Sequence, residues 1–180
     1  RIPLESRWNI VAALAAHAED VNDHNLPLMN WYALEPLVAV DRDHAVAIAE
    51  SSPFPQLLPF TLRRIGADGS QESVNDLVDR LDRVESPDRA AIYLTSIQQA
   101  LQGKREFLLP NHWNSIAAKY SRGMNPDLAL QTRILSLTFG DLSVISGLRE
   151  WVQDEKQSLP LRRSALQTLL QFRTEGIAVL

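Results

Sequence analysis

The segment Asn125-Pro126-Asp127-Leu128-Ala129-Leu130, with the Asp141-Leu142 step that follows it, decides the fold class. Asparagine is a favoured N-cap residue because its side-chain oxygen accepts from first-turn N–H groups. Proline suits the first helical position, where the N–H it lacks would have no intrahelical acceptor. Asp127 then sets a negative charge at the positive end of the helix dipole. Beyond Asp141, the residues Leu142, Ile145, Leu148 and Val152 recur at steps of three and four, which is one face of a second helix. The stretch therefore reads as two helices in succession, one opened by Asn-Pro-Asp and one by a plain aspartate.

The same grammar recurs along the chain. Ser86-Pro87-Asp88 repeats it closely, and Asn25-Leu26-Pro27, Ser52-Pro53 and Ser158-Leu159-Pro160 are looser versions. Plainer caps lie between them. Asp41 precedes the run from His44 to Ala49. Ser70 precedes Val74, Leu77, Val78 and Leu81, and Asn111 precedes Trp113, Ile116 and Tyr120. An opening helix near residues 5–20 carries Trp8, Val11, Ala12, Ala15 and Ala16. The only Asp-Gly dipeptide, Asp68-Gly69, falls between two helical patterns rather than between strands. The proline-marked starts near Pro27, Pro53, Pro87, Pro126 and Pro160 are spaced about 26, 34, 39 and 34 residues apart, the range of two-helix solenoid repeats. One such pair cannot bury its apolar face, whereas stacked pairs bury a continuous core. The expectation is an all-α chain, a solenoid of about four to five stacked helical pairs over residues 1–180, with a closed helical bundle as the alternative.

Composition narrows the function classes. The 180 residues include 18 basic and 22 acidic side chains, for a net charge of −4, and 45% are hydrophobic. That apolar fraction suits a packed core and not a disordered chain. An acidic balance gives no electrostatic basis for nucleic acid as a main partner. With no cysteine there is no disulfide framework, thiolate metal site, cysteine nucleophile or CxxCH haem attachment. No apolar run is long enough to cross a bilayer, and no signal peptide is legible. The start at Arg1 and the apolar end Ile177-Ala178-Val179-Leu180 lead to the expectation of a fragment of a larger multidomain protein. GxSxG, Walker A, GxGxxG and HExxH motifs are lacking, so no enzymatic activity is expected of the chain itself.

Two stretches carry a resemblance. Leu159-Pro160-Leu161-Arg162-Arg163-Ser164-Ala165-Leu166 resembles the first helix of a HEAT-type repeat, with its early proline, basic residues and leucine stripe. The denser cluster is His17-Ala18-Glu19-Asp20, Asp23, Asn25-Leu26-Pro27-Leu28-Met29, Trp31-Tyr32 and Glu35-Pro36-Leu37-Val38, with Arg63-Arg64 downstream. It is similar to the HEAT-like region of planctomycete-type haem-binding proteins that carry a membrane-bound-dehydrogenase propeller and a c-type cytochrome domain. The resemblance implies an exported, periplasmic, redox-active parent protein containing haem c. It implies a non-catalytic scaffold role for the present chain, contacting neighbouring domains or another protein. Exposed apolar faces at the ends of such an array would also offer a route to a homodimer.

The most chemically loaded segment is Glu19-Asp20-Val21-Asn22-Asp23-His24-Asn25, with His17 just before it. Glu19, Asp20 and Asp23 are the candidate oxygen donors to a hard cation, which takes six to eight such ligands. The EF-hand spacing is not met, because the central glycine and distal glutamate are missing. The competing reading is an inter-helix linker in which Asp20 or Asp23 caps and Asn25 is the N-cap. Trp31 could wall a ligand or belong to the core. Glu35, beside Pro36, is expected to pair with Arg63, Arg64 or His17 in a buried polar network, while Pro36 should end or kink its helix. The candidate ligand-binding residues are thus His17, Glu19, Asp20, Asp23, Asn25, Trp31 and Glu35. The alternative function they define is a module for a cation or small polar ligand.

Overall fold

The computed structural model describes residues 2–104, 107–121 and 125–174, and among them the regular structure is entirely helical. Ten α-helices follow one another among these residues. They are α1 (Trp8–Leu14), α2 (Leu26–Val38), α3 (Arg42–Ser51), α4 (Leu57–Gly66) and α5 (Gln71–Asp82), then α6 (Pro87–Leu101), α7 (Trp113–Ser121), α8 (Pro126–Thr138), α9 (Val144–Gln153) and α10 (Leu159–Thr174). They divide between two compact units, Arg1–Leu77 with Thr95–Gln102 and Val78–Leu94 with Gly103–Leu180.

The capping grammar holds where its chemistry is local. Asn125 Oδ1 accepts from the N–H groups of Asp127 and Leu128 at 3.0 and 3.2 Å, and α8 begins at Pro126. Asp41 caps α3 through the His44 N–H at 2.9 Å. Asp68 accepts from the Ser70 N–H and the Ser73 hydroxyl ahead of α5, which holds its carboxyl below the usual carboxylate range. Replacing Asn125 with alanine is expected to lower stability by about 1 kcal/mol, read as a shift of the urea midpoint at unchanged slope.

Five expectations are corrected. Asp141 does not open α9, which starts at Val144 with Ser143 at its N-cap; Asp141 accepts from the Ser143 N–H in the turn before it. The opening helix does not run over 5–20. It is α1 flanked by 3-10 turns at Leu4–Ser6 and Ala18–Asp20. The chain leaves helical geometry at His17 (ψ 89°), and Ser52 Oγ donates to the Ala15 carbonyl at 2.6 Å, satisfying an acceptor the ended helix leaves open. Pro53 does not open a helix, and α4 starts at Leu57. A residue before proline disfavours α geometry, so Pro55 keeps Phe54 out of a helix. Ser52 caps a turn there instead, accepting from the Phe54 N–H. Asn111 is not the cap of α7. The first helical acceptor is the carbonyl of His112, which sits at φ 63°. Finally, Asn25 stands at the N-cap of α2 but makes no side-chain capping bond. The expected helix turn over Gly176 to Leu180 lies outside the described residues.

In the first unit, α2 packs on α1, α3 and α4, and α3 packs on α4. Leu34, Leu37, Ala45, Leu57 and Leu62 are wholly buried in its core. Gly66 comes so close to α6 that a Cβ there would lie 2.7 Å from Ala100 Cβ. Pro36 is inside α2, which ends two residues later at Val38.

In the second unit, α7 packs on α8, α8 on α9 and α10, and α9 on α10. Leu130, Leu137, Leu148, Leu161 and Ala165 form its core. Trp113 is fully buried, donates its indole N–H to Ser136 Oγ at 2.9 Å and meets Phe139 edge-on at 4.9 Å. The Arg133 guanidinium lies 3.8 Å from the Trp151 ring centre. Helix ends are closed by basic side chains: Lys119 Nζ donates to the Val84 carbonyl and Arg162 Nε to that of Val152, both at 2.9 Å.

Candidate functional site

The seven candidate residues fall into two places. His17, Glu19, Asp20, Asp23 and Asn25 lie in the exposed linker between α1 and α2, whereas Trp31 and Glu35 are on α2 against α4.

In the linker, Asp23 turns to the backbone and Glu19 to His17. Asp23 Oδ1 accepts from the N–H groups of Asn25 and Leu26 at 2.7 and 2.8 Å, so Asp23 does the capping expected of Asn25. Those two bonds hold its carboxyl below the usual range. The Asn25 carbonyl accepts the first helical bonds, from Leu28 and Met29. His17 Nδ1 and Glu19 Oε1 are 2.6 Å apart. The hydrogen bond raises the imidazole pKa and lowers that of the carboxyl. Among the described residues no group of three or more His, Cys, Asp or Glu side chains is arranged to hold a metal ion.

The His17–Glu19 pair sets a pH dependence. The carboxylate half of the interaction is lost as pH falls through the lowered Glu19 pKa. The imidazolium half is lost as pH rises through the raised His17 pKa. Both partners are charged between those limits. His17 is therefore expected to titrate above its ordinary value of 6.5 in a proton NMR titration, and Glu19→Gln should bring it back down.

The second place is a surface cleft of about 330 Å3 between α2 and α4, lined by Leu28, Trp31, Tyr32, Phe60, Arg63 and Arg64. Trp31 and Phe60 meet edge-on with ring centres 5.4 Å apart, forming its floor. The Arg63 guanidinium carbon lies 4.7 Å from the Phe60 ring centre, one helical turn along α4. Arg63 Nη1 also donates to Gln99 Oε1 at 3.2 Å. Arg64 Nε and Glu35 Oε1 are 3.5 Å apart, and both side chains are 42% exposed. The pairing of Glu35 with Arg64 matches the sequence expectation, but the buried network does not form, because both residues sit on outward faces. His17 takes no part in it. Trp8 is not among the residues that line this cleft and stacks on His44, ring centres 4.2 Å apart.

The outer face of α2 continues this cleft. Leu28, Met29 and Tyr32 are 39%, 50% and 55% exposed, while Leu34, Leu37 and Val38 of the same helix are buried. Apolar residues on both faces of a helix are the mark of an element normally covered on both sides. Phe60 was invisible to sequence reasoning as a site residue. Its only signal is its place three residues before Arg63, on the same helical face.

Covalent attachment of haem c requires cysteine, and the chain has none, so nothing in it fits that group. Among the described residues no helix is long and apolar enough to cross a membrane. No family model, curated protein or solved structure matches the chain.

Proposed function

We propose that the chain is a non-catalytic helical-repeat scaffold that binds another protein or a neighbouring domain, with the α2–α4 face as its docking surface. The observation that carries this reading is the exposed apolar face Leu28, Met29 and Tyr32, continuous with the aromatic floor of the cleft. An outward apolar patch rimmed by charged residues is the usual mark of an interaction surface. A shallow cleft with aromatic and arginine side chains also has the composition of interface anchor points.

Within each unit, helices pack on those one and two places along the chain, as α2 does on α3 and α4 and as α8 does on α9 and α10. Those contacts between near neighbours, with the recurring Pro-marked starts, support the reading of a HEAT-like α-solenoid of helical pairs. The resemblance to planctomycete-type haem-binding proteins supplies the setting for the proposal, an interdomain or protein contact within a larger exported redox protein.

The test is selection of a random peptide library displayed on phage against the chain, with the Tyr32→Ala, Met29→Ser chain as counter-selection. Both replaced side chains are at least half exposed, so the fold should survive. Recovery of peptides that bind the wild-type chain and not the double variant is the expected result. Recovery of none, or of peptides indifferent to the double variant, would contradict the docking surface. A melting-temperature rise with millimolar calcium, lost in Asp23→Ala, would favour the cation-binding alternative instead.

A further inference from the structure

We infer that the segment docking on the α2–α4 face is an acidic peptide stretch, whose carboxylate pairs with Arg63 while an adjacent apolar side chain lies against Tyr32 and Trp31. The inference rests on the docking role proposed above and specifies its partner.

The argument is one of charge accounting in the cleft. Two guanidinium groups, Arg63 and Arg64, line it. Among the described residues the carboxylate beside them, Glu35, is paired with Arg64. Among the described residues Arg63 meets only neutral partners, the amide oxygen of Gln99 and the ring of Phe60. The cleft thus holds one positive charge without a counter-ion, on a chain whose net charge is −4. Stacking on Phe60 and the bond to Gln99 together fix the guanidinium in place, so little side-chain freedom remains to be lost on binding. A planar guanidinium with N–H groups to spare is matched by a carboxylate, which can accept two of them side by side. The neighbouring Leu28, Trp31 and Tyr32 then call for an apolar side chain close to that carboxylate. A polyanionic nucleic acid is held by a row of such cations, whereas the cleft offers two, one of them paired with Glu35.

The peptide selection distinguishes this inference from the reading beneath it. If docking is right and the chemistry is right, the recovered peptides carry Asp or Glu within a few positions of Leu, Phe, Trp or Tyr. Changing that acid to its amide should weaken binding to the wild-type chain about tenfold, and far less to Arg63→Gln. Arg63→Lys, which keeps the charge but not the planar fork, should retain part of the acid preference. Peptides that depend on Tyr32 but lack acidic residues would overturn the inference and leave the docking surface standing. Failure to recover any Tyr32-dependent peptide would overturn both. Displacement of an acidic peptide by a uridylate oligomer at physiological salt would also count against a peptide partner. Should Arg63→Gln fail to fold, salt supplies the same reading on the wild-type chain. Raising it about threefold should weaken the acidic peptide more than its amide form, and equal weakening would overturn the inference.

Discussion

Trp113→Ala is expected to cost about 3–5 kcal/mol of stability, the range for emptying a large buried aromatic site. Trp113 is among the largest fully buried side chains of the described residues, and it joins α7 to α8 in two ways. Its ring meets Phe139 edge-on, and its N–H is bonded to Ser136 Oγ, itself 1% exposed. Alanine removes the packing and leaves the buried Ser136 hydroxyl without that donor. Trp113→Phe keeps most of the volume and loses the bond, so it should fall between the two, at about 1–3 kcal/mol. Urea unfolding followed by circular dichroism reads both values. A cost for Trp113→Ala below that of Trp113→Phe would show that α7 does not depend on this contact.

Gly66→Leu is expected to destabilise by about 3 kcal/mol or more, by overpacking. Gly66 is buried in α4, and even its Cβ would stand 2.7 Å from Ala100 Cβ and 3.1 Å from Leu77 Cδ1. The flexible leucine end can move aside, whereas the alanine Cβ is fixed to the backbone of α6. Gly66→Ala poses a finer contest. Helix propensity favours it by about 1 kcal/mol, while forcing the helices apart costs about 1–3 kcal/mol, so a smaller net loss is expected. Ala100→Gly removes the obstructing methyl and should recover part of the loss when combined with Gly66→Ala. Additive effects in that double-mutant cycle would refute a direct steric conflict.

Both predictions concern contacts that no single stretch of sequence displays. What the sequence displayed well was local. The helix starts at Pro87 and Pro126 and the cap at Asp41 are decided within three or four residues, by side chains that bond backbone groups beside them. Where two local devices competed, sequence reading had no means to choose. Asp23 and Asn25 are both capable caps, and the turn that brings Asp23 Oδ1 to two N–H groups decided between them. Ser52-Pro53 has the form of a helix start, yet α4 begins at Leu57, because Pro55 disfavours α geometry at Phe54. The positive φ of His112 is only weakly signalled by residue type, since histidine visits that region more than most side chains but still seldom.

The candidate site was legible in the same partial way. Trp31 and Glu35 are identifiable as an aromatic and an acid on an otherwise apolar helix, and supply of charge leaves Arg63, Arg64 or His17 as partners of Glu35, of which the structure pairs it with Arg64. Their exposure did not follow, because it depends on which face of α2 the other helices cover. The acidic linker drew attention through its density of carboxylates. In the structure Asp23 caps α2 and His17 pairs with Glu19.

The central claim is that ligands meet this chain at the α2–α4 face. Its four tryptophans are placed to report on that directly. Trp31 floors the cleft, Trp8 stacks on His44, Trp113 is buried in the second unit, and Trp151 lies against Arg133. The decisive measurement is the indole N–H spectrum of the 15N-labelled chain, titrated with the most strongly recovered acidic peptide. The account predicts that the Trp31 signal moves in proportion to occupancy while those of Trp8, Trp113 and Trp151 stay in place. A Trp31 signal that stays fixed while the peptide binds and another indole moves would contradict it.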